Sequence, residues 1–229
     1  MSRPLIIAHR GASAQEYENS LAAFRLAGRL GADGVELDIH ATSDGALVVH
    51  HDDRVCGVHI PTWTAAAVRA QRLPNGETPP LLEEALGAID PRLRVYVEIK
   101  TLPAACDAHL LAVLDAGPHP TGYAVHAFDH RLLARLGALR PSLPRGILSA
   151  SYPIRPLVPL VDVGAVGFWM DRALVDGDLA ALLHIAGAQL FAWTVDDATE
   201  MVRLAGLGVD GLCTNRPDLG RRTMDALRP

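Results

Sequence analysis

No apolar run in this 229-residue chain approaches the roughly 18 residues that a membrane-spanning helix needs, so no membrane span is expected. No cluster of lysine or arginine is present. With a formal net charge of −5 and a pI near 6.0, the chain offers no broad cationic face, and a nucleic-acid partner is not expected. A local phosphate site is still compatible with that balance. Cysteine is scarce: Cys56, Cys106 and Cys213 are odd in number and lack metal-ligand spacing, which fits a reducing compartment. The short apolar segment Leu5-Ile6-Ile7-Ala8 runs straight into His9-Arg10-Gly11 and does not read as a signal peptide, so a cytoplasmic location is expected. No G-x-G-x-x-G follows this first strand, which disfavours a dinucleotide-binding open sheet. Low-complexity segments and dividing linkers are also missing.

What is present is enough apolar sequence, 49% of residues, to bury a sizeable core. Strand-like and helix-like stretches alternate along the whole length. Strands are expected at residues 5–8, 33–39, 93–100, 122–128, 145–149, 165–170, 189–195 and 211–213, with helices between them. Ser43-Asp44-Gly45-Ala46 reads as a tight hairpin turn returning through Leu47-Val48-Val49. Residues 53–80 read as irregular with one short helix, and the proline-broken stretch 152–161 has no defined element. About eight strands alternating with helices fit a single (β/α)8 TIM barrel over residues 1–229.

In Asp33-Gly34-Val35-Glu36-Leu37-Asp38-Ile39, period two places Val35, Leu37 and Ile39 on one face and Glu36 and Asp38 on the other. Two carboxylates on a buried face repel each other and lose hydration, so they need a cation or hydrogen-bond donors. An isolated E-x-D on a solvent-facing edge strand would need neither. The strand at 93–100 repeats the pattern, with Glu98 and Lys100 opposite Val95, Val97 and Ile99. An exposed Glu98–Lys100 ion pair is the plainer account of that strand alone. In a barrel, however, the C-terminal strand ends form the active face, and His9-Arg10, Glu36 and Asp38, Glu98 and Lys100, Trp193 and Thr214-Asn215 all fall there. Glu36, Asp38 and Glu98 would then share a hard divalent cation, Mg²⁺ or Ca²⁺, and the lack of Cys or paired His ligands argues against structural zinc.

The two adjacent histidines are separated by hairpin register. A two-residue turn at Asp44-Gly45 places His51 opposite Asp38 and aims it at the carboxylates, with His50 turned away; a bulge would exchange them. His9 is the second acid/base candidate. Arg10 and Lys100 suit an anionic group, and Trp193 is placed to wall the pocket. The other histidines read as structural, with His126 set apart from them by its place near a strand end.

These residues resemble a known family. His9-Arg10-Gly11, Glu18-Asn19-Ser20, Gly31-Ala32-Asp33, Glu36-Leu37-Asp38, Asp44-Gly45 and His51-Asp52 are similar, in order, to motifs of the glycerophosphodiester phosphodiesterases. Pro80-Leu81-Leu82-Glu83-Glu84, Glu98-Ile99-Lys100, Phe128-Asp129, Trp193-Thr194-Val195 and Thr214-Asn215-Arg216-Pro217 continue the likeness across the chain. The resemblance implies a barrel enzyme that hydrolyses a small-molecule glycerophosphodiester to glycerol phosphate and an alcohol, as a monomer or homodimer. It implies Glu36, Asp38 and Glu98 as metal ligands, His9 and His51 as acid and base in unassigned order, and Arg10 and Lys100 on the phosphate. Four departures stand out: Tyr17 replaces a proline, Ser20 a threonine, Ala127 a serine, and the segment after His51-Asp52 lacks a Leu-x-Arg-Thr pattern. The alternatives are a related barrel phosphodiesterase acting on lysophospholipids or another phosphodiester, and a non-catalytic phosphate-ligand binder.

Overall fold

The computed structural model describes residues 3–227. Its elements run β1 (Leu5–His9), α1 (Leu21–Arg29), β2 (Gly34–Ala41), β3 (Leu47–Val49), β4 (Arg54–Val55), β5 (Val58–His59), α2 (Ala65–Arg69), α3 (Leu82–Ala88), β6 (Arg94–Thr101) and α4 (Asp107–Ala116). They continue with β7 (Tyr123–Ala127), α5 (His130–Leu139), β8 (Arg145–Ser149), α6 (Leu157–Val163), β9 (Gly167–Asp171), α7 (Gly177–Ile185), β10 (Gln189–Trp193), α8 (Ala198–Leu207), β11 (Gly211–Thr214) and α9 (Pro217–Ala226). Eight parallel strands follow one another as β1, β2, β6, β7, β8, β9, β10 and β11. The β1–β11 and β1–β2 pairings close them into a barrel. The expected (β/α)8 barrel is the fold.

Alternation along each strand sorts side chains between two cores. Outward residues such as Val35, Leu37, Ile39, Val95, Val97 and Ile99 join Phe24, Leu82, Leu86 and Leu110 of the helices in one large apolar layer. Inward residues Ile7, Tyr96, Leu148, Trp169, Phe191 and Cys213 fill the barrel itself. Trp169 stacks on Phe191 with ring centroids 4.5 Å apart and meets Tyr96 edge-on at 5.1 Å. These aromatics form an apolar floor, above which the inward positions become polar.

Helix termini are fixed by local chemistry. Ser20 caps α1 by accepting from the Ala23 amide, while the Glu77 carboxylate accepts from the amides of Leu21 and Ala22. Glu77 thereby satisfies two orphan donors at the positive end of the helix and anchors the irregular segment there. That segment holds more structure than its sequence indicates: β4 and β5 form a small ribbon, and Val55, Ile60, Val68 and Leu73 pack with Val48 in a separate apolar cluster. The proline-broken stretch likewise contains α6. Pro159 is only its third residue, where the missing N–H had no intrahelical acceptor to lose.

The hairpin register differs from the expected one. The Thr42 amide donates to the Ala46 carbonyl and the Gly45 amide to the Thr42 carbonyl, leaving a three-residue loop with Gly45 at φ +85°. Ala41 therefore faces Leu47 and Ile39 faces Val49, and the His50 amide donates to the Asp38 carbonyl. The extra residue shifts the pairing by one, so His50, not His51, lies across from Asp38.

Candidate active site

Parallel register places the polar side chains side by side. His9 pairs with Glu36 across β1 and β2, Asp38 with Glu98 across β2 and β6, and Glu98 with His126 across β6 and β7. Directly paired residues share a face, so all of these point into the barrel mouth. A register shift in β6 pairs Ile39 with Ile99 but His40 with Thr101. Lys100 is the extra residue, and this bulge brings its ammonium over the carboxylates. The resulting cavity, about 100 Å³, is lined by His9, Arg10, Glu36, His51, Glu98, Lys100, His126, Phe128 and Trp193, among others. A larger cavity of about 280 Å³ opens at the other end of the barrel, by Arg94, Tyr123, Arg145 and Gln189, away from the acidic residues.

Glu36, Asp38 and Glu98 are all buried. Lys100 Nζ lies 3.2 Å from Asp38 Oδ1 and 2.5 Å from Glu98 Oε1, while Arg10 Nε lies 3.2 Å from Asp38 Oδ2. The Asn19 amide donates to Asp38 Oδ2 at 2.8 Å, and the Arg10 backbone amide, held in the left-handed region at φ +56°, donates to Glu36 Oε2 at 3.1 Å. Burial pushes the Glu36 carboxyl up to about 7, helped by the charge on Asp38, and pushes Glu98 up to about 7 for the same two reasons. Asp38 moves the other way: burial opposes its charge, but Lys100, Arg10 and the Asn19 hydrogen bond together hold it below the usual range. Burial likewise opposes the charge on Lys100, yet Asp38 and Glu98 raise its pKa overall.

Some atoms here have no hydrogen bond. Glu36 Oε1, Asp38 Oδ1, Glu98 Oε1 and both ring nitrogens of His126 are buried without such a partner among the described residues. Two of these oxygens face the Lys100 ammonium, Glu98 Oε1 at 2.5 Å and Asp38 Oδ1 at 3.2 Å, which leaves Glu36 Oε1 and the His126 imidazole as the groups with neither a cation nor a hydrogen-bond partner among the described residues. A buried carboxylate oxygen and an imidazole that face each other with no hydrogen bond between them form a donor set that a divalent cation fits. The acid and histidine side chains whose ligand atoms converge within 4.8 Å of one another are Glu36, Glu98 and His126. Asp38 lies outside that set, because its carboxylate is turned onto Arg10, Lys100 and Asn19.

The two site histidines are oriented differently. Asn215 Nδ2 donates to Asp196 Oδ2 at 2.6 Å, which fixes the amide and leaves Asn215 Oδ1 as an acceptor. His9 Nδ1 lies 2.7 Å from that oxygen and must donate to it, so Nε2 carries the lone pair, 4.0 Å from Glu36 Oε2. His51 Nδ1 lies 2.8 Å from Asp52 Oδ1, again a donor to an acceptor. His51 does face the cavity, although not by the expected register. Strand β3 ends at Val49, so sheet alternation no longer governs the next residues. His50 is buried and bonds to the Arg54 carbonyl, while His40 Nε2 donates to the His51 carbonyl and holds that turn. Trp193 meets Phe128 edge-on at 5.7 Å, and the pair forms one wall.

Two residues have parts that their strand-end positions alone do not assign. Asn215, which lies at a strand end, orients His9 together with Asp196. His126 sits on the inward period of β7, level with Glu98, a signal visible only once the strand register is known.

A family model described as the glycerophosphoryl diester phosphodiesterase family matches residues 9–219. The chain belongs to this family. A glycerophosphodiester phosphodiesterase of Caldanaerobacter subterraneus subsp. tengcongensis is 30% identical, over 94% of this chain and 96% of its own length. One from Bacillus subtilis is 27% identical, covering 95% and 85%. Among solved structures, an Oleispira antarctica phosphodiesterase in complex with the product sn-glycerol-3-phosphate superposes with a TM-score of 0.90 at 25% identity, over 97% of both chains. A glycerophosphodiester phosphodiesterase from Parabacteroides distasonis gives 0.89 at 24% identity, over 98% of both chains. Family membership makes the chain a phosphodiester-hydrolysing barrel enzyme.

Proposed function

We propose that the enzyme hydrolyses glycerophosphodiesters to glycerol phosphate and an alcohol, with a divalent ion at the buried carboxylates. The observation that carries this reading is the buried cluster of Glu36, Asp38 and Glu98, with Glu36 Oε1 free of hydrogen bonds among the described residues and Arg10 and Lys100 against its neighbours, in a cavity lined by His9 and His51. Glu36 and Glu98 would hold the ion, with Asp38 beside them as the third carboxylate, an oxygen set that suits Mg²⁺ or Ca²⁺. With all three acids ionised, Arg10 (itself shared with Glu18 at 2.9 Å) and Lys100 leave the cluster net negative. A dication would cancel that excess and let the site admit an anionic phosphodiester. When bound, the ion polarises a phosphate oxygen and spreads transition-state charge.

Arg10 and Lys100 serve as ligands for the phosphate oxygens. His9, with Nε2 free and beside Glu36, takes a proton from the nucleophile, either a glycerol hydroxyl, giving a cyclic phosphate, or water. His51, nearer the mouth, returns a proton to the departing alcohol oxygen. Phe128 and Trp193 offer an apolar wall for the part of the substrate beyond the phosphate. The product bound in the Oleispira antarctica relative supports glycerol phosphate as the retained half.

The deciding assay follows glycerol phosphate release from glycerophosphocholine in EDTA and after divalent ions are restored, for wild type and Glu36→Ala. Activity should return with metal in the wild type only. A folded wild type that binds glycerol phosphate but cleaves no diester under any ion would make it a binder instead. Parallel reactions with lysophospholipid micelles separate a soluble-diester enzyme from a lipid-directed one.

A further inference from the structure

We propose that His126 is a nitrogen ligand of the divalent ion, so that the site prefers Mn²⁺ or Co²⁺ over Mg²⁺ and Ca²⁺. This inference rests on the metal reading above and refines it. His126 lies on β7 with 2% of its surface exposed, and neither ring nitrogen has a hydrogen-bond partner among the described residues. A buried histidine that serves only as core ordinarily ties down at least one nitrogen. Here the ring is held by packing alone: Trp169 meets it edge-on, centroids 4.3 Å apart at 81°. Its free Nε2 points at the carboxylates, 3.7 Å from Glu36 Oε1.

That spacing is informative. Ligand atoms bound to one ion at about 2.1 Å lie about 3.0–4.2 Å apart. Too long for a hydrogen bond, 3.7 Å falls inside the range for two ligands of a common ion. Glu36, Glu98 and His126 are also the set whose ligand atoms approach within 4.8 Å of one another. Lys100 cannot replace the ion at this position, because it reaches Glu98 and Asp38 from the side and leaves Glu36 Oε1 and the imidazole unpartnered. Carboxylates alone favour hard cations, whereas an imidazole among them adds affinity for Mn²⁺, Fe²⁺ and Co²⁺ and little for Ca²⁺ or Mg²⁺. The selectivity of the centre is thus set by a residue from a third strand.

The test uses the full chain stripped with EDTA and reloaded with Mn²⁺, read by pulsed electron paramagnetic resonance for nitrogen coupling from a bound imidazole. Wild type and His9→Gln should show the coupling, His126→Gln should not, and ¹⁵N-histidine labelling should change its isotope signature. By calorimetry, His126→Gln should lose about 10–100-fold in Co²⁺ affinity and less than about threefold in Ca²⁺ affinity. The labelled wild type answers the question even if the variant folds poorly. Bound Mn²⁺ without nitrogen coupling in the wild type overturns the assignment of His126 and leaves the carboxylate site standing. Failure of the wild type to bind any divalent ion overturns both readings.

Discussion

The Asn215–His9 contact gives a sharp test of the catalytic geometry. Asn215→Ala removes the oxygen that accepts from His9 Nδ1 at 2.7 Å, while Asp196 keeps the Thr214 hydroxyl at 2.9 Å and the residue-215 backbone amide at 2.8 Å. The ring then loses its anchor but remains in place. A single hydrogen bond of this kind contributes about 1–1.5 kcal/mol. Its loss lowers the population of the ring with Nε2 unprotonated and facing Glu36 by about 5–13-fold. We therefore expect kcat to fall by about tenfold with KM nearly unchanged. Removing the imidazole altogether should cost about 10²–10⁴-fold. Steady-state kinetics on glycerophosphocholine measure the drop, and ¹⁵N shifts of His9 should show a mixture of tautomers in the variant and one in the wild type. Wild-type kcat combined with scrambled tautomers would refute the use of His9 Nε2 as base. An unchanged tautomer would refute the role of Asn215.

Metal uptake should depend on pH in a defined direction. Without an ion, burial holds the Glu36 and Glu98 carboxyls at about 7, so both carry protons below that pH and must release them to ligate. Affinity should fall as pH drops through 7 and level off above about pH 8; calorimetry in buffers of different ionisation enthalpy should find one to two protons released at pH 6 and close to none at pH 8.5. Equal proton release at both pH values would contradict the raised carboxyls. Away from the site, Arg135 donates to both oxygens of buried Asp107, at 2.6 and 2.8 Å, and to the Leu102 carbonyl at 2.8 Å. Arg135→Ala should lower unfolding free energy by about 2 kcal/mol, less than a fully buried pair because the guanidinium is partly in solvent, and should leave kcat unchanged. A denaturation midpoint equal to the wild type would show that solvent already satisfies Asp107.

Much of this protein was legible in one dimension because its regularities are local. Period two in Val35, Leu37 and Ile39 against Glu36 and Asp38 requires only that a strand have two faces, and eight such strands alternating with helices leave few ways to bury them. Helix caps are equally local, Ser20 and Asp197 each accepting from an amide three residues on. His9, Arg10, Glu36, Glu98, Lys100 and Trp193, all at strand ends in the sequence, line the cavity. Tertiary structure alone decided how neighbouring strands slide past one another and where chains leave the sheet. One extra loop residue beside Gly45 shifted the hairpin pairing, and the end of β3 at Val49 then turned His51, not His50, into the cavity. The bulge at Lys100 and the alignment of Glu98 with His126 depend on hydrogen bonds between strands far apart in sequence. Sequence spacing cannot encode a register between β6 and β7, so the imidazole beside the carboxylates emerged only when the barrel closed.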